Sequence, residues 1–221
     1  MSLNIAIDGP AGAGKSTIAR KAAAELGFIY VDTGAIYRSV AYYCLSKRAD
    51  LSVPENAEKL LPEITPELRF IEGVQHVFVN GDDVSDKIRT PEVSMAASKV
   101  SAIPAVRAFL FDLQQKIARE NNVIMDGRDI GTVVLPNADL KIFLTASPEA
   151  RADRRFKELK DKPDAPTYDE VLSDIIKRDH DDSTRAIAPL KQAEDAVLCD
   201  TTSLSLEESV DKIIGMIKKL L

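Results

Sequence analysis

A glycine-rich segment between a predicted strand and a predicted helix constrains the fold of this chain more than any other feature. Residues 9–17 have the sequence GPAGAGKST and match the GxxxxGK[ST] phosphate-binding loop, or P-loop. Residues 3–7 form a short apolar run typical of a strand, and residues 16–26 predict a helix. This order places the positive N-terminal end of the helix under the loop. The segment therefore indicates an α/β domain that binds a nucleoside triphosphate.

Each residue type in the P-loop has a chemical reason. Glycine lets the backbone turn tightly, so that successive N–H groups point at phosphate oxygens. Lys15 would reach the β- and γ-phosphates, and the Ser16 hydroxyl would bind Mg²⁺. The predicted nucleotide-binding residues of the loop are Gly9, Gly12, Ala13, Gly14, Lys15, Ser16 and Thr17.

Composition excludes several classes of protein. The chain has 221 residues, of which 45% are hydrophobic, so we expect one domain with a substantial core. No apolar run approaches the ~18 residues of a membrane span, and we expect no membrane partner. The net charge of −6 argues against a nucleic-acid-binding protein.

The cysteines and histidines also constrain the chemistry. Cys44 and Cys199 lie far apart and predict two reduced thiols in a reducing compartment, which favours a cytoplasmic protein. His76 and His180 are the only histidines, and neither has metal-ligand spacing around it. A site with His and Cys ligands is therefore not expected.

After the P-loop, helical patterns alternate with short apolar runs, which is typical of a parallel sheet covered by helices. The five expected strands cover residues 3–7, 28–31, 123–126, 140–144 and 196–200. The expected helices cover residues 16–26, 34–45, 91–100, 104–120 and 206–221, with a short helix near 55–61 and further helices between 148 and 182. Residues 67–84 instead predict a small antiparallel insert, with a turn at Asn80 and Gly81.

Polar side chains follow two of the expected strands, where ligands bind in such sheets. After the second strand, Thr33 can cap the next helix, and Arg38 follows one turn later. After the third strand, Asp126 suits the carboxylate that steadies Mg²⁺ and its waters, and Arg128 and Asp129 would point into a cleft. The alternatives are an ordinary cap with a solvated arginine, and a polar turn without function.

A set of late arginines is a third candidate. Its members are Arg151, Arg154, Arg155, Arg178 and Arg185. A guanidinium binds phosphate bidentately, so a mobile segment that carries these residues can close over phosphates. Arg178 and Asp182 share one face of a helix, where the carboxylate can hold a ribose hydroxyl. A solvated helix face and a surface ion pair remain the alternatives.

Taken together, these residues resemble the bacterial cytidylate kinase family. The resemblance extends nearly from end to end and rests on the segments IDGPAGAGKST, DTGAIYR, IRTPEVSMAASKVSAIPAVR, MDGRDIGTVVLPNADLKIFL and TRAIAPL. It implies one domain over residues 1–221 with the three-layer fold of P-loop NTPases. This fold would have a five-stranded parallel sheet, an antiparallel monophosphate-binding insert at about 35–120 and a helical lid at about 150–190.

The resemblance also implies an activity and a set of site residues. The chain would be a kinase that transfers the γ-phosphate of ATP to CMP, and to dCMP, with Mg²⁺, as a cytoplasmic monomer. The implied catalytic residues are Lys15, Asp126, Arg128, Arg178 and Arg185. Thr33, Arg38, Arg128 and Arg185 would surround the CMP phosphate, Ser98, Arg107 and Asp129 would read the cytosine, and Arg178 with Asp182 would bind the ribose. The arginines of the lid helix, Arg151, Arg154 and Arg155, would close over ATP.

The chemistry of cytosine makes the implied base contacts plausible. Cytosine has acceptors at O2 and N3 and a donor at its exocyclic amine. Ser98 and Arg107 can donate to the acceptors, and Asp129 can accept from the amine, whereas uracil would mismatch two of these contacts. Other acceptors, namely UMP, AMP or a non-nucleotide, remain an alternative, as does a P-loop switch or scaffold. No NKxD-type guanine-reading motif supports the switch.

Overall fold

The computed structural model describes residues 2–161 and 165–221. Residue 1 and residues 162–164, which fall in the expected domain and in its expected lid, lie outside the described residues.

The described residues form a five-stranded parallel sheet and a separate three-stranded antiparallel sheet. The strands are β1 (Asn4–Asp8), β2 (Ile29–Asp32), β3 (Pro66–Ile71), β4 (Val74–Val79), β5 (Asp82–Asp83), β6 (Val123–Gly127), β7 (Leu140–Thr145) and β8 (Val197–Asp200). The parallel sheet has the order β2-β6-β1-β7-β8, and the antiparallel sheet has the order β3-β4-β5. Both the parallel α/β sheet and the antiparallel insert are confirmed.

Eight α-helices surround these sheets in the described part of the chain. They are α1 (Lys15–Leu26), α2 (Thr33–Ser46), α3 (Pro54–Glu58), α4 (Pro91–Ser101), α5 (Pro104–Glu120), α6 (Pro148–Leu159), α7 (Tyr168–Thr184) and α8 (Leu206–Ile217). Proline occupies the first turn of α4 and α5, where its missing N–H costs no helical hydrogen bond. Capping boxes begin α7 and α8, because the side chains of Thr167 and Glu170, and of Ser205 and Glu208, satisfy free amides reciprocally.

Local details differ from the expected elements in four places. Helix α8 ends at Ile217 rather than at residue 221, and α3 is a single turn followed by a 3-10 turn at Leu61–Glu63. A π-helical turn at Ile130–Val134 was not predicted, because five residues are too few to show a period. Thr33 does not cap α2, since Asp32 is the N-cap and its carboxylate accepts from the amide of Ala35 at 2.9 Å.

The hydrophobic core consists of separate clusters between different elements of the fold. On one face of the parallel sheet, α1 and α8 bury Ile5, Ile18 and Ile213 with their neighbours. A larger cluster joins α2, α4 and α5 to the antiparallel sheet and includes Ile36 and Leu110. Replacing one of these fully buried residues with alanine would cost about 2–5 kcal/mol. The antiparallel insert thus has an apolar core of its own, shared with α2, α4 and α5.

Among the described residues, no single helix is long and apolar enough to cross a membrane. Helices α4 and α5 meet these criteria only when they are counted together, and they are bent by 99° at their junction.

Candidate functional site

The carboxyl ends of β1, β2 and β6 open into a cleft of about 480 Å³ that lies between the P-loop, the start of α2, α4 and α7. Most of the predicted site residues line this cleft. They are Gly12, Gly14, Lys15, Ser16, Thr17, Thr33, Arg38, Ser98, Arg107, Asp126, Arg128, Asp129, Arg155, Arg178, Asp182 and Arg185. Parallel strands that end at one edge of the sheet bring these distant segments together.

The P-loop forms one wall of the cleft. Gly9 has φ +152°, and a Cβ at this position would lie 1.9 Å from the carbonyl oxygen of Leu144. Only glycine therefore lets the loop pass so close to β7. Lys15 is buried at the start of α1, and its Nζ donates to the carbonyl of Pro10 at 2.8 Å. Burial, together with the positive charge of Arg128, lowers the pKa of Lys15 to about 7.

Asp126 lies at the floor of the cleft beside the P-loop. Its carboxylate accepts from the hydroxyl of Ser16 at 2.9 Å and from the hydroxyl of Tyr30 at 2.9 Å. Burial and the negative charge of Asp32 raise the pKa of Asp126 to about 6. A hydroxyl and a carboxylate in contact are the oxygen donors that Mg²⁺ prefers, directly or through its waters. The residues therefore fit the predicted ion, although residues 2–161 and 165–221 contain no cluster of three or more His, Cys, Asp or Glu side chains suited to a metal.

The start of α2 forms the opposite wall. Arg38 pairs with Asp32 at 2.8 Å, and its Nε is buried with no hydrogen-bond partner among the described residues. An unsatisfied guanidinium N–H beside a cleft is a ready donor for an anionic ligand. The hydroxyl of Thr33 donates to the backbone carbonyl of Asp126 at 2.7 Å. Thr33 thus joins β6 to α2 through its hydroxyl.

A buried ion pair closes the far end of the cleft. Arg107 of α5 donates from Nη2 to Oδ2 of Asp129, and Nη2 of Arg185 lies 3.5 Å from Oδ1 of the same carboxylate. The guanidinium of Arg107 also lies over the ring of Tyr37, with 5.6 Å between its Cζ and the ring centre. Burial raises the pKa of Asp129, and the charges of Arg107 and Arg185 oppose that shift. The end of the cleft thus presents donors and an acceptor at fixed positions.

The turn that carries Arg128 and Asp129 is held by its neighbours. The carboxylate of Asp8 accepts from the backbone N–H groups of Ile130 and Gly131 at 2.8 and 2.7 Å. A Cβ at Gly127 would lie 2.7 Å from the side chain of Ile130 and 2.8 Å from the hydroxyl of Thr33, so a larger residue would displace these side chains. The turn is therefore fixed to the end of β1, directly before the P-loop.

Helix α7 covers the cleft with charged side chains. Nε of Arg128 donates to Oδ2 of Asp182 at 2.7 Å, which joins the turn after β6 to α7. Arg178 lines the cleft one turn before Asp182, and Arg185 follows at the C-terminal end of α7. Arg155 of α6 also lines the cleft, and it pairs with Glu158 at 2.8 Å on the exposed side.

Four predicted nucleotide-binding residues do not line the cleft. Gly9 and Ala13 are buried in the P-loop itself. Arg151 is buried, and its guanidinium is occupied by Ala11, Ala146 and Asp179. Arg154 turns away and donates from Nη2 to the carbonyl of Thr201 at 2.6 Å. The lid-arginine prediction therefore has one member in the cleft, Arg155, which lies one helical turn beyond Arg151 on the same face of α6.

Sequence reasoning missed several residues that shape the site. Asp8 follows a strand as Asp126 does, so the same signal at a strand end could have identified it. Asp32 precedes a helix, which marks it as a possible N-cap. Tyr30 and Tyr37 lie within apolar patterns that indicate core, and no local signal distinguishes them from ordinary core residues.

Comparison with known proteins places this geometry in a family. The family model for cytidylate kinase matches residues 5–219. A cytidylate kinase of Caldicellulosiruptor bescii is 51% identical over 218 residues, covering 99% of this chain and 96% of that protein. A cytidylate kinase of Carboxydothermus hydrogenoformans is 52% identical over 217 residues, covering 97% of both chains. A solved structure of an uncharacterized protein from Eubacterium ventriosum has a TM-score of 0.55 at 12% identity, covering 98% of this chain and 99% of that chain, and is alike in fold alone.

Proposed function

The chain belongs to the cytidylate kinase family, and we propose how the residues of its cleft transfer the γ-phosphate of ATP to CMP. The observation that carries the proposal is that Lys15 and the buried Arg107–Asp129 pair line one cleft. A P-loop lysine suits the β- and γ-phosphates of a donor. A guanidinium beside a carboxylate suits a base that has acceptors next to an amine. Donor and acceptor can therefore bind at the same time.

The far end of the cleft holds the cytosine. Arg107 and Ser98 donate to O2 and N3, while Asp129 accepts from the exocyclic amine. Oδ2 of Asp129 is engaged by Arg107, and its Oδ1 has the longer contact of 3.5 Å to Arg185, so Oδ1 is available to the amine. Uracil would place O4 against this carboxylate, which disfavours UMP.

The middle of the cleft holds the acceptor phosphate and ribose. Arg38 offers its unsatisfied Nε to the phosphate, and Arg128 offers Nη2, because its Nε and Nη1 already have partners. Thr33 contacts the phosphate only if its hydroxyl proton turns away from Asp126, and Arg185 completes the phosphate site from α7. Arg178 and Oδ1 of Asp182 bind the ribose hydroxyls, since Arg128 engages the other oxygen of that carboxylate. Because dCMP lacks only one of these hydroxyls, we propose dCMP as a second acceptor.

Transfer needs no covalent intermediate and no strong general base. The attacking oxygen of the acceptor phosphate is already anionic, so the residues contribute positioning and charge neutralisation. Lys15, Arg128 and Arg185 offset the charge that builds between the two phosphates. Arg155 and α7 exclude water when they close over ATP, which suppresses its hydrolysis.

Ser16 and Asp126 would hold Mg²⁺ beside the P-loop. The ion would neutralise charge on the phosphates of ATP. Tyr30 and Ser16 keep the Asp126 carboxylate oriented toward this position through their hydrogen bonds. Removal of divalent cations is therefore expected to abolish transfer.

The wider organisation follows from the same features. We propose that residues at about 35–120 are the monophosphate-binding insert and that residues at about 150–190 are the lid, because these segments supply the acceptor side and the covering helix of the cleft. One chain supplies all the proposed site residues, which supports activity as a monomer. Cys44 and Cys199 are free and buried, which supports a reducing location such as the cytoplasm.

An acceptor panel tests the activity. ADP formation from ATP and Mg²⁺ is measured with CMP, dCMP, UMP, AMP and GMP offered in turn. We expect CMP and dCMP to give the highest kcat/KM. A chain that forms no ADP in response to any acceptor is not a kinase of this class.

A further inference from the structure

Arg151 connects the P-loop to the helix that covers the cleft. It lies in the first turn of α6, and its side chain is 3% exposed. Nη1 donates to the carbonyl of Ala11 in the P-loop at 2.9 Å, and Nε donates to the carbonyl of Ala146 at 2.8 Å. The same guanidinium forms a bidentate ion pair with Asp179 of α7, with N–O distances of 3.0 and 2.5 Å. Three segments that are distant in sequence therefore converge on one side chain.

Asp179 ends a buried stripe of α7. Val171 and Ile175 precede it at intervals of four residues, so the three lie on one face of the helix. Val171 and Ile175 pack with Ala152 of α6 in a small apolar cluster. Apolar packing thus attaches the N-terminal half of α7 to α6, and the ion pair attaches its later turns to the P-loop.

The cleft-lining residues of α7 occupy the neighbouring stripe. Arg178, Asp182 and Arg185 recur at intervals of four and three residues and line the cleft together. Arg178 directly precedes Asp179 in the chain, so any displacement of Asp179 also displaces this stripe. The position of Arg151 therefore determines where the side chains of α7 lie in the acceptor part of the cleft.

The contacts of Arg151 make its position depend on the P-loop. The carbonyl of Ala11 points at the guanidinium, and a Cβ at Gly12 would lie only 3.5 Å from the Cβ of Arg151. A bound triphosphate holds the backbone of a P-loop in one conformation. Arg151 and Asp179 are then held as well. Part of the conformational entropy that α7 loses when CMP binds has therefore already been lost.

We infer that Arg151 and Asp179 are positioning residues that couple the ATP and CMP sites. The inference rests on the proposed function, because it assumes that the P-loop binds ATP and that α7 contacts CMP. Neither residue is among those that line the cleft, although both line a second cavity of about 460 Å³ beside Pro10 of the P-loop, so their effect on CMP is on affinity between sites rather than on direct contact. Linkage requires that ATP strengthens CMP binding by the factor by which CMP strengthens ATP binding.

Calorimetric titration of the full chain with CMP tests the coupling. CMP is titrated alone and in the presence of saturating β,γ-methylene ATP with Mg²⁺. In the wild type we expect the analogue to tighten CMP binding at least about fivefold, the lower end of usual coupling between sites. Asp179→Asn sets an amide NH₂ against a guanidinium donor and breaks the bidentate pair. We expect the enhancement to fall below about twofold while the Kd for CMP alone changes by less than about threefold.

A matched control removes the same charge from the same helix. Asp181 is exposed and has no ion-pair partner within the described ranges, so Asp181→Asn should keep the full enhancement. Asp179→Glu keeps a carboxylate and should recover part of the enhancement lost in Asp179→Asn. Circular dichroism melts establish that each variant is folded; Arg151 keeps the carbonyls of Ala11 and Ala146 as acceptors when Asp179 is replaced.

The outcomes separate this inference from the proposed function. A wild type without enhancement, or an Asp179→Asn variant with the wild-type enhancement, overturns the coupling and leaves the kinase activity standing. A large loss of CMP affinity in the absence of the ATP analogue also overturns it, because Asp179 would then act on the acceptor site alone. Failure of the wild type to bind CMP in either state overturns the proposed function itself.

Discussion

Arg107 and Asp129 form an ion pair in which both partners are almost fully buried, at 9% and 5% exposure. Burying two charges costs free energy, and the cost is offset only when each charge keeps good partners. Asp129 keeps Arg107 and Arg185, and Arg107 also lies over the ring of Tyr37. The structure therefore maintains a charged donor and a charged acceptor at the end of the cleft where the proposal puts the base.

Asp129→Asn should weaken the preference for CMP over UMP. The carboxylate accepts from the amine of cytosine and repels O4 of uracil, whereas an asparagine amide can donate to O4. We expect the ratio of kcat/KM for CMP to that for UMP to fall roughly 10- to 100-fold. ADP release with each acceptor gives this ratio.

Asp112→Asn is a suitable control for that experiment. Asp112 is an exposed carboxylate on α5, the helix that carries Arg107, and its loss should leave the ratio unchanged. An unaltered ratio in Asp129→Asn would remove the proposed contact between this carboxylate and the base.

Lys15→Ala should abolish most turnover without unfolding the protein. Within residues 2–161 and 165–221 the side chain makes one hydrogen bond, to the carbonyl of Pro10, so the fold loses little. Removing one such charge from the transferring phosphates should lower kcat about 10²- to 10³-fold. The measurement is steady-state ADP release, with Lys21→Ala, an exposed lysine on the same helix, as the control. Near-normal turnover in Lys15→Ala would exclude Lys15 from the transfer step.

The parts of the site that follow a fixed local spacing were predictable from the sequence. The P-loop, the carboxylate at the end of β6 and the polar residues after β2 are each defined by a few neighbouring residues. The strand order brings these segments together, because β6 lies between β1 and β2 in the parallel sheet. Polar residues at the ends of these strands therefore lie at one edge of the sheet, beside the cleft.

The parts that depend on which turn of a helix is covered by a distant segment were not predictable. Arg151 and Arg155 have the same residue type and share one helix, yet the first is buried under the P-loop and the second is exposed in the cleft. Their spacing puts them near each other without saying which of them is covered. Contacts such as that of Tyr30 with Asp126, which are 96 residues apart, likewise leave no local pattern.

Tyr30→Phe should lower both stability and the affinity for the divalent cation. It removes the hydroxyl that donates to Asp126 at 2.9 Å and leaves Ser16 as the side-chain donor to that carboxylate. We expect a loss of about 0.5–1.5 kcal/mol in the free energy of unfolding. Because the carboxylate is less firmly oriented, the Mg²⁺ concentration needed for half-maximal activity should rise. Mn²⁺ binding in the presence of ATP, measured by paramagnetic resonance, should weaken for the same reason.

Tyr42→Phe is the matched control for Tyr30→Phe. Tyr42 is half-buried, and its hydroxyl makes no hydrogen bond with the described residues. Its removal should change neither stability nor the requirement for Mg²⁺ appreciably. Equal metal dependence in Tyr30→Phe and the wild type would show that Ser16 alone orients Asp126.

Asp8 should make stability fall as pH rises through the weakly acidic range. Burial, with a smaller contribution from the charge of Asp129, raises the pKa of Asp8 from 3.8 to about 6, although the amides of Ile130 and Gly131 and the charge of Lys15 oppose the shift. Between these two pKa values the folded protein holds a proton that the unfolded chain has lost, so raising the pH favours unfolding. Each pH unit in this window removes at most about 1.4 kcal/mol, and the effect ends above the folded-state pKa.

Comparison with Asp8→Asn isolates this contribution, because asparagine does not titrate. Urea unfolding at pH 5, 6, 7 and 8 gives the difference in free energy of unfolding between the wild type and the variant. From pH 5 to about 6 we expect the free energy of unfolding of the wild type to fall relative to that of the variant. From pH 7 to 8 we expect the difference to stay constant. Asp112→Asn should show a constant difference throughout, since an exposed carboxylate is ionised in both states above pH 5. A difference that stays constant from pH 5 to 8 would mean that the two amide hydrogen bonds outweigh burial and keep the folded-state pKa of Asp8 below this range.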